Sequence, residues 1–112
     1  MNPPNSDILR RLEEVIQDRR NNPSEQSYVT ELLRDAPMSL SSKLIEEAYE
    51  VVHALGDEEA ADPEALPHEA ADLMFHLLVL LGWSDVAWED VERKLEERFG
   101  TSGLEEKAKR HV

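Results

Sequence analysis

Cysteine is absent from this 112-residue chain, which excludes a disulfide framework, a thiolate metal site and a cysteine nucleophile. Aromatic residues make up only 5% of it, and no segment alternates apolar and polar residues over a useful length, so nothing in the pattern specifies a β-strand. Basic residues are scarce: 12 Lys and Arg stand against 25 Asp and Glu, a net charge of −13. That balance argues against a protein that coats nucleic acid, because such binding is driven by cations displacing phosphate counterions. A small phosphate-bearing ligand stays compatible, provided metal ions first neutralise the carboxylates it must approach. The chain has no basic segment leading into an apolar signal core, and its central apolar run is short and carries Asp72 and His76. Neither secretion nor a membrane span is therefore expected, and a cytoplasmic location follows by default. Beyond a similarity between two acidic motifs there is no internal repeat, and there is no low-complexity tract.

What the chain does have is helical periodicity. A 40% hydrophobic and 33% charged composition fits a single all-α domain over residues 1–112, with 1–5 and 101–112 as frayed end and polar tail. A chain this short gains from oligomerisation, so a homodimer is the default. Five helices are predicted. The first, capped by Ser6, presents Ile8, Leu9, Leu12, Val15 and Ile16 on one face and ends near Arg20. After the turn Asn21-Asn22-Pro23-Ser24, Ser27 caps a short second helix to Asp35, which Ala36-Pro37 breaks. A third starts within Ser39–Ser42 and runs to Leu55, with Gly56-Asp57 as its stop. After an exposed acidic connection over 57–62, a fourth helix is placed from Pro67, because proline fits a first turn, and ends near Gly82. Trp88, Val91, Leu95 and Phe99 at core spacing mark a fifth, stopped by Gly100. Short connections favour an antiparallel helical bundle.

The candidate chemistry lies in two acidic motifs, Glu46-Glu47-x-x-Glu50 and Glu69-x-x-Asp72. Asp72 sits in a segment apolar almost all round, Ala70 to Leu81, where a lone carboxylate is costly to bury. With Glu69 at zero and about 100° per residue, Asp72 falls near 300° and His76 near 340°, so the three share one face. On the earlier segment Leu44, Ile45, Ala48, Val51, Val52 and Leu55 recur at helical spacing, with Glu47 and Glu50 at the stripe's edge and Glu46 further out. Packed antiparallel, the two helices would gather four or five carboxylates that only cations could hold ionised. An all-oxygen set favours a hard ion, Mg²⁺ or Mn²⁺. The bland alternative is that Asp72 caps a neighbouring helix or pairs with Lys43.

Glu47-x-x-Glu50 and Glu69-x-x-Asp72 resemble the metal-binding signature of the all-α MazG-type nucleoside triphosphate pyrophosphatases. Ser27-Tyr28 with Leu32-Leu33, Lys43-x-x-Glu46-Glu47-Ala48-x-Glu50, Glu69-Ala70-Ala71-Asp72-Leu73-x-x-His76 and Ser102-Gly103-Leu104-x-Glu106-Lys107-Ala108 narrow the resemblance to the phosphoribosyl-ATP pyrophosphatases of histidine biosynthesis. It covers about Leu12 to Arg110. The chain departs from that pattern at Gln26, Ile45 and Ala87, the last standing where Ser or Thr usually caps the final helix, at a capping loss of about 1 kcal/mol.

The resemblance implies hydrolysis of phosphoribosyl-ATP to phosphoribosyl-AMP and pyrophosphate by a Mg²⁺-dependent homodimer. Glu47, Glu50, Glu69 and Asp72 would then hold the metal, with Glu46, Glu47 and Glu50 as the catalytic carboxylates. Glu46 is either an outer ligand or the group that orients the attacking water. Lys43, Ser27, Tyr28 and His76 would contact substrate, although Lys43 equally suits an i, i+4 pair with Glu47, and His76 a satisfied core position. Two other readings share the same residues: a housekeeping MazG-type enzyme acting on ordinary or damaged nucleotides, and a non-catalytic helical dimer that binds metal.

Overall fold

Ser27 begins the second helix by accepting the Thr30 N–H on its hydroxyl at 3.3 Å, one of the first-turn donors that have no partner inside a helix. The computed structural model describes residues 7–56 and 62–100, all helix and connecting turns without a strand among them. The five helices are α1 (Ile8–Asn21), α2 (Tyr28–Arg34), α3 (Met38–Gly56), α4 (Ala65–Trp83) and α5 (Trp88–Phe99). The fold is the expected all-α bundle, and α4 is its centre, packed along α3 and touching α1 and α2. Ser6 as a cap, the connection over 57–61 and the tail from Thr101 lie outside the described residues.

Ile16 of α1, Val29 and Leu32 of α2, Leu40 of α3, and Leu78 and Val79 of α4 form the buried core. Each such side chain taken from water contributes about 1.5–3 kcal/mol. α1 comes close to α4 at Gly82, which gives the room: a Cβ there would lie 2.5 Å from Ile16 Cγ2. By length and hydropathy α4 would pass for a membrane span. Its packing against three other helices instead gives it the surroundings of a bundle's core helix.

Several boundaries differ from expectation. The fourth helix starts at Ala65 rather than Pro67, because the missing N–H of proline is harmless anywhere in the first turn, not only at its first residue. The third starts at Met38, directly after Pro37, rather than within Ser39–Ser42. Trp88 packs against the core, but Phe99 does not join it and is 53% exposed. Spacing identifies an apolar face without identifying what covers it. The same holds on α3, where Leu44 and Val51 are half-buried while Ile45, Val52 and Leu55 are exposed.

Candidate metal centre

α3 and α4 bring together three of the predicted ligands. Glu47 from α3 and Glu69 and Asp72 from α4 each offer a carboxylate oxygen, all within 4.8 Å of one another. Glu69 and Asp72 share a face because they are three residues apart, and Glu47 lies toward the Leu40–Leu44 side of α3 that meets α4. All three are half-buried. Three anions at this separation repel by a few kcal/mol per pair at an effective dielectric of about 20. The spacing matches what one hard cation bridges with oxygen ligands at about 2.0–2.6 Å. The donor set therefore suits a hard divalent cation, with no soft or nitrogen ligand demanded.

The other predicted residues arrange themselves around this trio. Glu50, on the next turn of α3, and Glu46 are exposed and stand outside the group of three. Lys43 is half-buried and makes no ion pair with Glu47, so the i, i+4 alternative is not adopted. Asp72 does not pair with Lys43 either. Its carboxylate lies 3.4 Å from His68 Nε2, one turn earlier on α4.

His76 and Tyr28, remote in sequence, meet. His76 is 5% exposed; its Nδ1 lies 2.8 Å from the Asp72 carbonyl oxygen and its Nε2 lies 3.2 Å from the Tyr28 hydroxyl. A carbonyl can only accept, so Nδ1 carries a proton and donates to it, and the Tyr28 hydroxyl, which can donate or accept, meets Nε2 on the other side of the ring. Phe75 completes the contact, its ring stacked on Tyr28 at 6.1 Å between centroids and edge-on to His76 at 5.1 Å. Ser27 thus places Tyr28 indirectly, by starting the helix whose first residue it is.

Sequence reasoning missed His68. The signal was present, since His68 and Asp72 are spaced i, i+4 on α4, but among the polar residues of that helix only Glu69, Asp72 and His76 were weighed.

The trio lies inside the span where known proteins are similar to this one. The family described as phosphoribosyl-ATP pyrophosphohydrolase matches residues 9–99. Among curated relatives, the phosphoribosyl-ATP pyrophosphatase of Geotalea daltonii is 43% identical over 106 residues, 95% of this chain and 97% of its own length. That of Geobacter metallireducens is 42% identical over 93% of both chains. The Burkholderia vietnamiensis protein of the same name is 46% identical over 93% of this chain and 87% of its own. Matches that run from α1 to the end of α5 and enclose all three converging carboxylates leave one assignment: the chain belongs to the phosphoribosyl-ATP pyrophosphohydrolase family.

Proposed function

We propose that this protein hydrolyses phosphoribosyl-ATP to phosphoribosyl-AMP and pyrophosphate, as a cytoplasmic, Mg²⁺-dependent homodimer of histidine biosynthesis. The observation that carries the reading is the convergence of Glu47, Glu69 and Asp72 within a chain of this family. Mg²⁺ held by that trio would neutralise the triphosphate and favour departure of pyrophosphate as water attacks the α-phosphorus. Without it the trio repels the substrate. Glu50 and Glu46, exposed on the flank of α3 beside Glu47, are the carboxylates left to complete the ion's oxygen shell or to orient the water as general base. Lys43, one turn before Glu47 and without a carboxylate partner among the described residues, meets a phosphate oxygen. The Tyr28–His76 hydrogen bond ties the start of α2 to the metal-bearing helix, so that Ser27 and Tyr28 face the substrate from a fixed position.

The homodimer rests on α3. Met38, Ile45, Tyr49 and Val52 fall within about 60° of one another around the helix axis, roughly opposite the side that packs on α4, and Ile45 and Tyr49 are 73% and 67% exposed. A contiguous apolar stripe of this kind marks an interface, and a second copy laid against it buries the same residues twice.

The test is pyrophosphate release from phosphoribosyl-ATP and from a panel of ordinary ribo- and deoxynucleoside triphosphates, with and without Mg²⁺. Mg²⁺-dependent preference for phosphoribosyl-ATP is expected. Preference for a plain deoxynucleotide would point to a housekeeping MazG-type activity, and no turnover of any substrate to a metal-binding dimer without catalysis.

A further inference from the structure

A cavity of about 380 Å³ opens at the far end of α4 from the acidic trio, lined by Arg19, Arg20, Pro23, Thr30, Leu33, Arg34 and Trp83. Trp83 is eleven residues beyond Asp72, roughly 16 Å along the helix at 1.5 Å per residue. In a chain of net charge −13 this lining is unusual: it contains three arginines and no carboxylate. The grooves lined by α1 and α5, and those beside the start of α4 and the end of α5, each contain at least one Asp or Glu.

The three arginines are not equally committed. Arg20 is used by the fold, donating to the Gly82 carbonyl at 2.8 Å and pairing with Asp85. Among the described residues Arg19 pairs only with its neighbour Asp18, and that pair is exposed, so it competes weakly with any other anion. Arg34 makes no ion pair with the described residues. Thr30 adds a second kind of donor: it is 5% exposed, its oxygen accepts the Ser24 N–H at 3.0 Å, and no acceptor among the described residues takes its hydroxyl proton. Trp83 lines the same space and is 38% exposed, which offers an indole surface to a planar ring.

We propose that this cavity binds a nucleoside monophosphate, separately from the metal centre. The guanidiniums of Arg34 and Arg19 take the phosphate in charge-assisted hydrogen bonds, the Thr30 hydroxyl donates to it, and the base stacks on Trp83. The volume is of the size that small-molecule pockets have. The site stands independently of the catalytic reading, because none of its residues belongs to the trio.

Calorimetric titration of the full chain with AMP, adenosine and inorganic phosphate, in chelator and again in Mg²⁺, tests it. AMP should bind saturably and equally in both buffers, with adenosine and phosphate each about tenfold weaker or more. Arg34→Gln and Trp83→Leu should each weaken AMP by about tenfold, while Asp72→Asn leaves it unchanged. Binding that requires Mg²⁺ or is lost in Asp72→Asn would move the ligand to the acidic centre and overturn the proposal, as would the absence of saturable binding. Phosphate binding as tightly as AMP would overturn the nucleotide assignment.

Discussion

The Glu13 carboxylate of α1 accepts the backbone N–H of Trp88 at 2.6 Å, so the first orphan donor of α5 is satisfied from a residue 75 positions away. Ala87, in the capping position, makes no side-chain bond to the helix. The loss expected at Ala87 is thus offset by a long-range acceptor whose negative charge also suits a helix N-terminus. Glu13→Ala should destabilise the fold by about 1–2 kcal/mol. Glu13→Gln, which keeps an acceptor and loses the charge, should cost roughly half as much. Urea midpoints of the two variants, with amide exchange at Trp88, provide the check. Equal midpoints for wild type and Glu13→Ala would mean that the cap contributes nothing.

Gly82 is the second position where the fold depends on a close approach. Its missing side chain admits Ile16 Cγ2 to 2.5 Å of where a Cβ would stand, and Ile16 is among the most buried side chains. Gly82→Ala gains helix propensity of about 1 kcal/mol but forces α1 away from α4 at about 1–3 kcal/mol. A net loss of stability is expected in chemical denaturation. Pairing it with Ile16→Leu, which lacks the Cγ2 methyl at nearly equal volume, should recover part of that loss.

Beside it, Arg20 holds the turn between α4 and α5. Its guanidinium grips both carboxylate oxygens of Asp85, and this hydrogen bonding lowers the Asp85 pKa from its ordinary 3.8. A carboxylate whose folded pKa is depressed stabilises the protein above its unfolded pKa, and that stabilisation is lost as pH falls through the lower folded value. Asp85 has a positive φ of 60°, which asparagine tolerates as well as aspartate, so Asp85→Asn removes the charge without straining the turn. Its midpoint should lie below wild type at neutral pH, and the gap should close as pH drops through and below the ordinary 3.8. Because Asp85 is exposed and Arg20 only half-buried, the gap should be small and shrink further in high salt.

The apolar stripe on α3 predicts its own behaviour. Tyr49→Glu or Ile45→Glu would place a charge in the middle of the proposed dimer interface, so sedimentation should report a dimer for wild type and a monomer for either variant. Val91→Glu would not serve as a control, since that residue is half-buried within the chain. Arg93→Glu, on an exposed part of α5, should leave the dimer intact.

Local signals were legible in the sequence and distant ones were not. Ser27 as a cap, Ala36-Pro37 as a break and the i, i+3 pairing of Glu69 with Asp72 are all settled within one or two turns of chain, and the structure keeps them. Glu47 was visible as a partner because its helix shares the same apolar patterning. The Glu13 cap, the Tyr28–His76 bond and the Arg20–Asp85 clamp join residues 75, 48 and 65 positions apart, and no periodicity encodes such pairs. Phe99 and Ile45 failed as core residues for a related reason: an amphipathic pattern specifies that a face is apolar, while packing within or between chains decides what meets it.

The central claim is that the carboxylates gathered between α3 and α4 hold the ion on which hydrolysis depends. The most direct measurement is the rate of pyrophosphate release from phosphoribosyl-ATP across a Mg²⁺ titration, for wild type, Glu47→Gln, Glu69→Gln and Asp72→Asn, with circular dichroism and sedimentation checking that each variant keeps the fold and oligomeric state of wild type. Wild type should be silent in chelator and saturate with Mg²⁺, and each variant should lose about 100-fold or more in turnover while remaining folded. Near-normal, Mg²⁺-saturable turnover in the Asp72→Asn and Glu47→Gln proteins would contradict the assignment.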